Sequence, residues 1–196
     1  YDCFIYGPAA ARGFPTRFFA EEMPRYVSLI ASFSTFAVGF LARPVGGVVF
    51  GHFGDRVGRK AALVTALMMM GVATTLIGLL PSYEQVGPLA PLLLIFLRFV
   101  QGLAVGGQWG GAMLLVTENA PSDQRGFYGA FAQVGAPAGL VLANLAFLAV
   151  SGNLSDEAFM DWGWRVPFIS SVLLIGLSLY VPVSYTHLRA HETFAN

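Results

Sequence analysis

Arg98, Gln101 and Gln108 share one apolar stretch, "LRFVQGLAVGGQWGGA". At about 100° per residue, a helix places Arg98, Gln101, Val105 and Gln108 on one face. A guanidinium and two amides on an apolar helix need a cavity or a polar partner, and such groups mark substrate or ion paths. Gly102, Gly106 and Gly110 repeat every four residues on a neighbouring face. Without side chains there, another helix can approach closely. A packed bundle accounts for these glycines but not for the arginine and two glutamines. Gly47-x-x-x-Gly51 and Gly135-x-x-x-Gly139 repeat the small-residue spacing elsewhere, and helix packing is the reading for both.

Arg43 also falls inside an apolar stretch. A charge at the centre of a bilayer costs between ~2.5 and ~17 kcal/mol, depending on how it is measured. Two readings stand for Arg43: a path residue, or a side chain that snorkels to the interface. Asp2 is the acid inside an apolar stretch. That stretch runs opposite to those of Arg43 and Gln108, which sets the three at similar depth. The expectation is an Asp2–Arg43 pair. Pro44 and Pro137 sit within apolar stretches as bends or as sources of free carbonyls. His52 is read as an incidental polar residue.

The elements that must position these groups follow from composition. The chain has 196 residues, 56% apolar, 14% aromatic and 11% charged. Soluble domains carry about 25% charged residues. Lys60 is the one lysine, and the formal net charge is zero, which offers nothing to a nucleic acid. Cys3 stands alone and excludes an internal disulfide or a cysteine-rich metal site. No phosphate loop, nucleophile elbow or zinc spacing occurs, so no enzyme and no metal site is expected.

A membrane-spanning helix needs about 20 apolar residues. Six such stretches are legible: Tyr1 to about Phe19, Tyr26 to Phe50, Ala61 to Leu80, Leu89 to Val116, Phe127 to Val150 and Val166 to Pro182. They are apolar around most of the helix, unlike the single stripe of a soluble helix. Alternating strands of a membrane barrel are absent. The expected fold is an all-α membrane protein with six transmembrane helices, spanning residues 1–182. Tyr1 already lies inside an apolar run, so the first span is expected to be truncated, and the sixth is open to truncation as well. "VSYTHLRAHET", Val183 to Thr193, resembles a translated transposase end joined to a sequencing adaptor. Residues 183–196 are therefore set aside, and with them the His187/His191 pair as a metal site.

"GHFGDRVGRK", Gly51 to Lys60, breaks the apolar pattern with one acid, three cations and three glycines. Arg56, Arg59, Lys60 and Arg125 fall on one side of the membrane, and Arg12, Arg17, Arg25 and Arg165 on the other. The positive-inside rule is nearly balanced. The tight cluster inclines the reading towards a cytoplasmic "GHFGDRVGRK".

That stretch resembles the loop signature of the major facilitator superfamily, and "RFVQG" resembles its second motif. With "YDCFIYGPAAA", "FAVGFLARPVGGVVF", "RGFYGAFAQVG" and "WGWRVPF", the likeness extends to the metabolite:proton symporter branch. It covers nearly all of residues 1–182. The resemblance implies the N-terminal half of a transporter in the cytoplasmic membrane, with the C-terminal half missing. It also implies a small organic acid or zwitterionic osmolyte as substrate and protons as coupling ion, with no other cofactor. Gly51, Gly54 and Gly58 would permit a tight turn. Asp55, assisted by Arg56 and Arg59, would latch onto a neighbouring helix end, with Glu118 and Arg125 as further partners. Arg98 and Gln101 would line the substrate or proton path. Two departures stand out. The branch usually has Glu at the place of Gln108, and an amide cannot titrate. "ARGFPTRFFAEEMPR" is also more polar than the branch pattern. The intramembrane arginines favour a carboxylate substrate. An exporter or antiporter, or a non-transporting membrane receptor or structural subunit, stays open at this point.

Overall fold

The computed structural model describes residues 4–12, 14–19, 24–173 and 175–176. All regular structure among them is helical. Helices α1 (Tyr6–Arg12) and α2 (Phe14–Arg17) are short. Helices α3 (Arg25–Val57), α4 (Arg59–Gly78), α6 (Leu89–Asn119) and α7 (Arg125–Asn153) are long. One turn, α5 (Tyr83–Val86), precedes α6. After α7 come α8 (Asp156–Ala158), a π-helical turn (Phe159–Gly163) and α9 (Arg165–Ile169).

Among the described residues, four helices are long and apolar enough to cross a membrane: Tyr26–Val57, Arg59–Gly78, Leu89–Glu118 and Arg125–Asn153. They correspond to the second to fifth expected spans. The expected first span contains α1 and α2 rather than one continuous helix among its described residues. The expected sixth contains α9 and the helical residues 171–173 and 175–176. The tail at 183–196 lies outside the described residues.

The charged stretch is not the loop that its composition predicted. Helix α3 continues through Gly51, Gly54 and Asp55 to Val57, and α4 starts at Arg59. The whole turn is Gly58, with φ 109° and ψ 139°, a conformation that glycine adopts without a Cβ clash. Its amide donates to the Gly54 carbonyl at 3.0 Å and closes the last turn of α3. Gly51 and Gly54 thus serve no turn. Gly54 is buried, and a Cβ on it would lie 3.5 Å from Ala62 on α4. A 33-residue helix is about 50 Å long, well beyond an apolar layer of about 30 Å. The charged final turns therefore project into water, where charge is cheap.

Helices α3 and α6 run parallel and pack most extensively. Their contact is backbone against backbone. A Cβ on Gly46 would overlap the Leu103 carbonyl, one on Gly102 the Gly39 carbonyl, and one on Gly106 the Arg43 carbonyl. A Cβ on Gly107 would overlap the Phe50 ring. With no hydrophobic drive between helices in lipid, this close approach supplies the dispersion and packing that hold them. Gly47 sits beside the contact, its added Cβ 3.8 Å from the Gly106 carbonyl. Added Cβ atoms on Gly51, Gly110 and Gly135 would meet nothing within 4 Å. Gly139 is buried on α7.

An aromatic cluster closes the opposite end. Phe14, Phe18, Trp164 and Phe168 stack edge to face, joining α2 to α9. Arg17 seals it, donating from Nε to the Met160 carbonyl and from Nη2 to Asp161 Oδ1, both at 2.8 Å. Arg165 Nη2 donates to the Leu80 carbonyl at 3.3 Å.

Candidate functional site

Arg98 is 3% exposed and Gln101 2%. One turn apart on α6, they meet as their spacing predicts: Arg98 Nη1 donates to Gln101 Oε1 at 2.7 Å. The amide group of Gln101 then donates to Thr74 Oγ1 on α4 at 2.6 Å. Thr74 in turn donates to the Met70 carbonyl at 2.8 Å. These hydrogen bonds tie α6 to α4 through buried polar groups.

The face of the guanidinium is covered from the other side. Arg98 Cζ lies 3.8 Å from the centre of the Tyr6 ring on α1 and 4.7 Å from that of Phe36 on α3. The Tyr6 hydroxyl bonds Thr35 Oγ1, which itself donates to the Ser32 carbonyl at 2.6 Å. Thr35 has one proton and gives it to Ser32, so Tyr6 is the donor to Thr35. Ser32 Oγ donates to the Ala10 carbonyl at 2.9 Å, which returns the chain to α1. Arg98 is thus the point at which α1, α3, α4 and α6 converge.

Arg43, half-buried on α3, sits with its Cζ 4.0 Å from the centre of the Phe40 ring. Arg43, Arg98 and Gln101 line one cleft with Gly39, Phe40, Met70, Gly102 and Val105. Its volume is about 10 Å³, room for about one water. Gln108 is half-buried and is not among the lining residues. Ten residues beyond Arg98, it lies about 15 Å further along α6. Asp2 lies outside the described residues. Among the described residues, no group of three or more His, Cys, Asp or Glu could hold a metal ion.

At the far end of the same helices, Arg59 in the first turn of α4 forms an ion pair with Glu118 in the last turn of α6. Both side chains are part-exposed. Asp55, Arg56 and Arg125 are exposed at this end.

Spacing along one helix pointed to Arg98 and Gln101. Tyr6, Phe36, Thr74, Gly39 and Gly46 were missed. Thr74 had a signal, a hydroxyl pair within the apolar run "MMMGVATTLIG". Gly39 and Gly46 also had one, since each stands on the apolar span that carries Arg43.

A family model described as "Sugar (and other) transporter" matches residues 1–193. The chain belongs to this family of the major facilitator superfamily. It is a multi-pass membrane protein from a family of transporters, not of enzymes. It is 56% identical to the inner membrane metabolite transport protein YhjE of Escherichia coli, over 94% of this chain and 42% of that protein. It is 49% identical to the shikimate transporter of Escherichia coli, over 92% of this chain and 41% of that one. The proline/betaine transporter of the same organism is 40% identical over 79% of this chain and 31% of its own length. The chain therefore spans about two fifths of the first two relatives. No solved structure matches it.

Proposed function

We propose that this chain is the N-terminal, six-helix half of a secondary active transporter. It moves a small metabolite across the inner membrane with a proton, by rocking against a C-terminal half around a midplane site. The observation that carries this reading is the buried Arg98–Gln101 pair, which lines a cleft with Arg43 among helices that cross the membrane. A guanidinium within a membrane span is costly, and such residues usually mark a transport path. Two cations there favour a substrate that bears a carboxylate, an organic acid or a zwitterionic osmolyte. The names of the shikimate and proline/betaine transporters are consistent with that class.

In this reading Asp2 pairs with Arg43, and Gln108 lies on the proton or substrate route. Gly51 and Gly54 belong to the gating motif with Gly58, although only Gly58 makes a turn. Asp55, Arg56, Lys60 and Arg125 face the cytoplasm and meet the second half, while Arg59 and Glu118 hold their own half together. An Asp2→Arg/Arg43→Asp double variant is expected to recover function lost in each single. A double worse than both singles rules out the pair.

The test is uptake by the full-length protein in liposomes. An inward proton gradient is expected to drive accumulation of a small carboxylate. Uptake indifferent to the gradient excludes symport, and uptake driven by an outward gradient indicates antiport. Arg98→Ala is expected to abolish uptake while the protein still reaches the membrane. Loss of membrane assembly instead would favour a structural subunit.

A further inference from the structure

We propose that Thr74 is a positioning residue that dictates which way the Gln101 amide faces, and through it the placement of the Arg98 guanidinium. The inference rests on the functional reading above only for its uptake readout. Thr74 Oγ1 carries a single proton, and it is committed to the Met70 carbonyl at 2.8 Å. Towards Gln101 the hydroxyl can therefore only accept, so the amide group must turn to Thr74 and the amide oxygen to Arg98. A guanidinium has no acceptor and requires that same orientation. Thr74 is 0% exposed and is not among the residues that line the cleft, so its oxygen is a partner that the protein itself supplies to Gln101. Without the Thr74 oxygen, the amide group of Gln101 is left buried with no acceptor on α4. A flip to seek one would aim its protons at Arg98.

Removing one side of a buried hydrogen bond is expected to lower uptake about tenfold. Thr74→Val keeps the shape and removes the acceptor. Thr74→Ser keeps the acceptor. The experiment measures initial uptake of a small carboxylate by the full-length protein in liposomes at matched protein density. It uses the parent, Thr74→Val, Thr74→Ser and Arg98→Ala. The expected result is loss with Arg98→Ala, a fall of about tenfold with Thr74→Val, and near-parental uptake with Thr74→Ser. If Arg98→Ala abolishes uptake but Thr74→Val does not change it, or Thr74→Ser falls as far as Thr74→Val, the positioning role is wrong and the functional reading survives. If Arg98→Ala leaves uptake intact, the functional reading fails. Thermal unfolding of Thr74→Val, Gln101→Leu and their double variant then decides. A double no less stable than the worse single supports the link, and additive shifts overturn it.

Discussion

The Arg98 guanidinium stacks on the Tyr6 ring, 3.8 Å from its centre, so a charge on α6 meets an aromatic face carried by α1. Cation–π contact reaches about 2 kcal/mol when desolvated, and here it fastens a short helix that has little length of its own to bury. Tyr6→Phe keeps the ring and removes the hydroxyl that donates to Thr35. It is expected to cost about 1 kcal/mol. Tyr6→Leu loses the ring face as well and is expected to cost about 1–2 kcal/mol more. Thermal unfolding in detergent checks the order. Equal losses from both variants would place the energy in the hydroxyl and not in the ring.

The Arg59–Glu118 pair joins the start of α4 to the end of α6, with both side chains part-exposed. Water screens such a pair, so it contributes at most about 1 kcal/mol to stability. Arg59→Glu and Glu118→Arg are each expected to destabilise slightly, and the double swap to recover most of the loss. The check is unfolding at low and at high salt, where the difference between the singles and the double should shrink. A salt-independent loss would mean that the aliphatic stems, not the charges, make the contact.

The glycine row on α6 is uneven, which makes a sharp comparison. Gly106→Ala sets a methyl against the Arg43 carbonyl, whereas Gly110→Ala meets nothing within 4 Å. Overpacking costs about 1–3 kcal/mol. Alanine also favours a helix over glycine by about 1 kcal/mol. Gly106→Ala should therefore destabilise, and Gly110→Ala should be neutral or mildly stabilising. Melting temperatures of the two variants side by side provide the measurement. A reversed order would move the α3–α6 crossing away from Gly106.

Gln108 cannot titrate, and it stands about 15 Å along α6 from Arg98. Gln108→Glu adds a group that can. If position 108 lies on the proton route, the variant should gain a step in its uptake–pH profile that the parent lacks. Superimposable profiles would remove this position from the route.

The four long helices and the Arg98–Gln101 face were legible from the sequence because both are local properties. Apolar length selects a spanning helix, and a period of about 3.6 residues sets which side chains share a face. The presence of glycine packing was legible for the same reason. Which glycines touch was not. Gly46 meets α6, while Gly51 and Gly110 meet nothing, since one residue along a helix turns a Cα by about 100° and the crossing point is set by the partner helix. The charged stretch was misjudged as a loop by its polarity, yet its backbone amides continue the α3 ladder until Gly58, the first position whose φ cannot extend it. The partners of Arg98 came from tertiary structure alone. Thr74 is 27 residues from Gln101 in sequence, and Tyr6 and Phe36 come from two other helices. Local periodicity states that a buried charge needs partners. Only the register of helix against helix decides which residues they are.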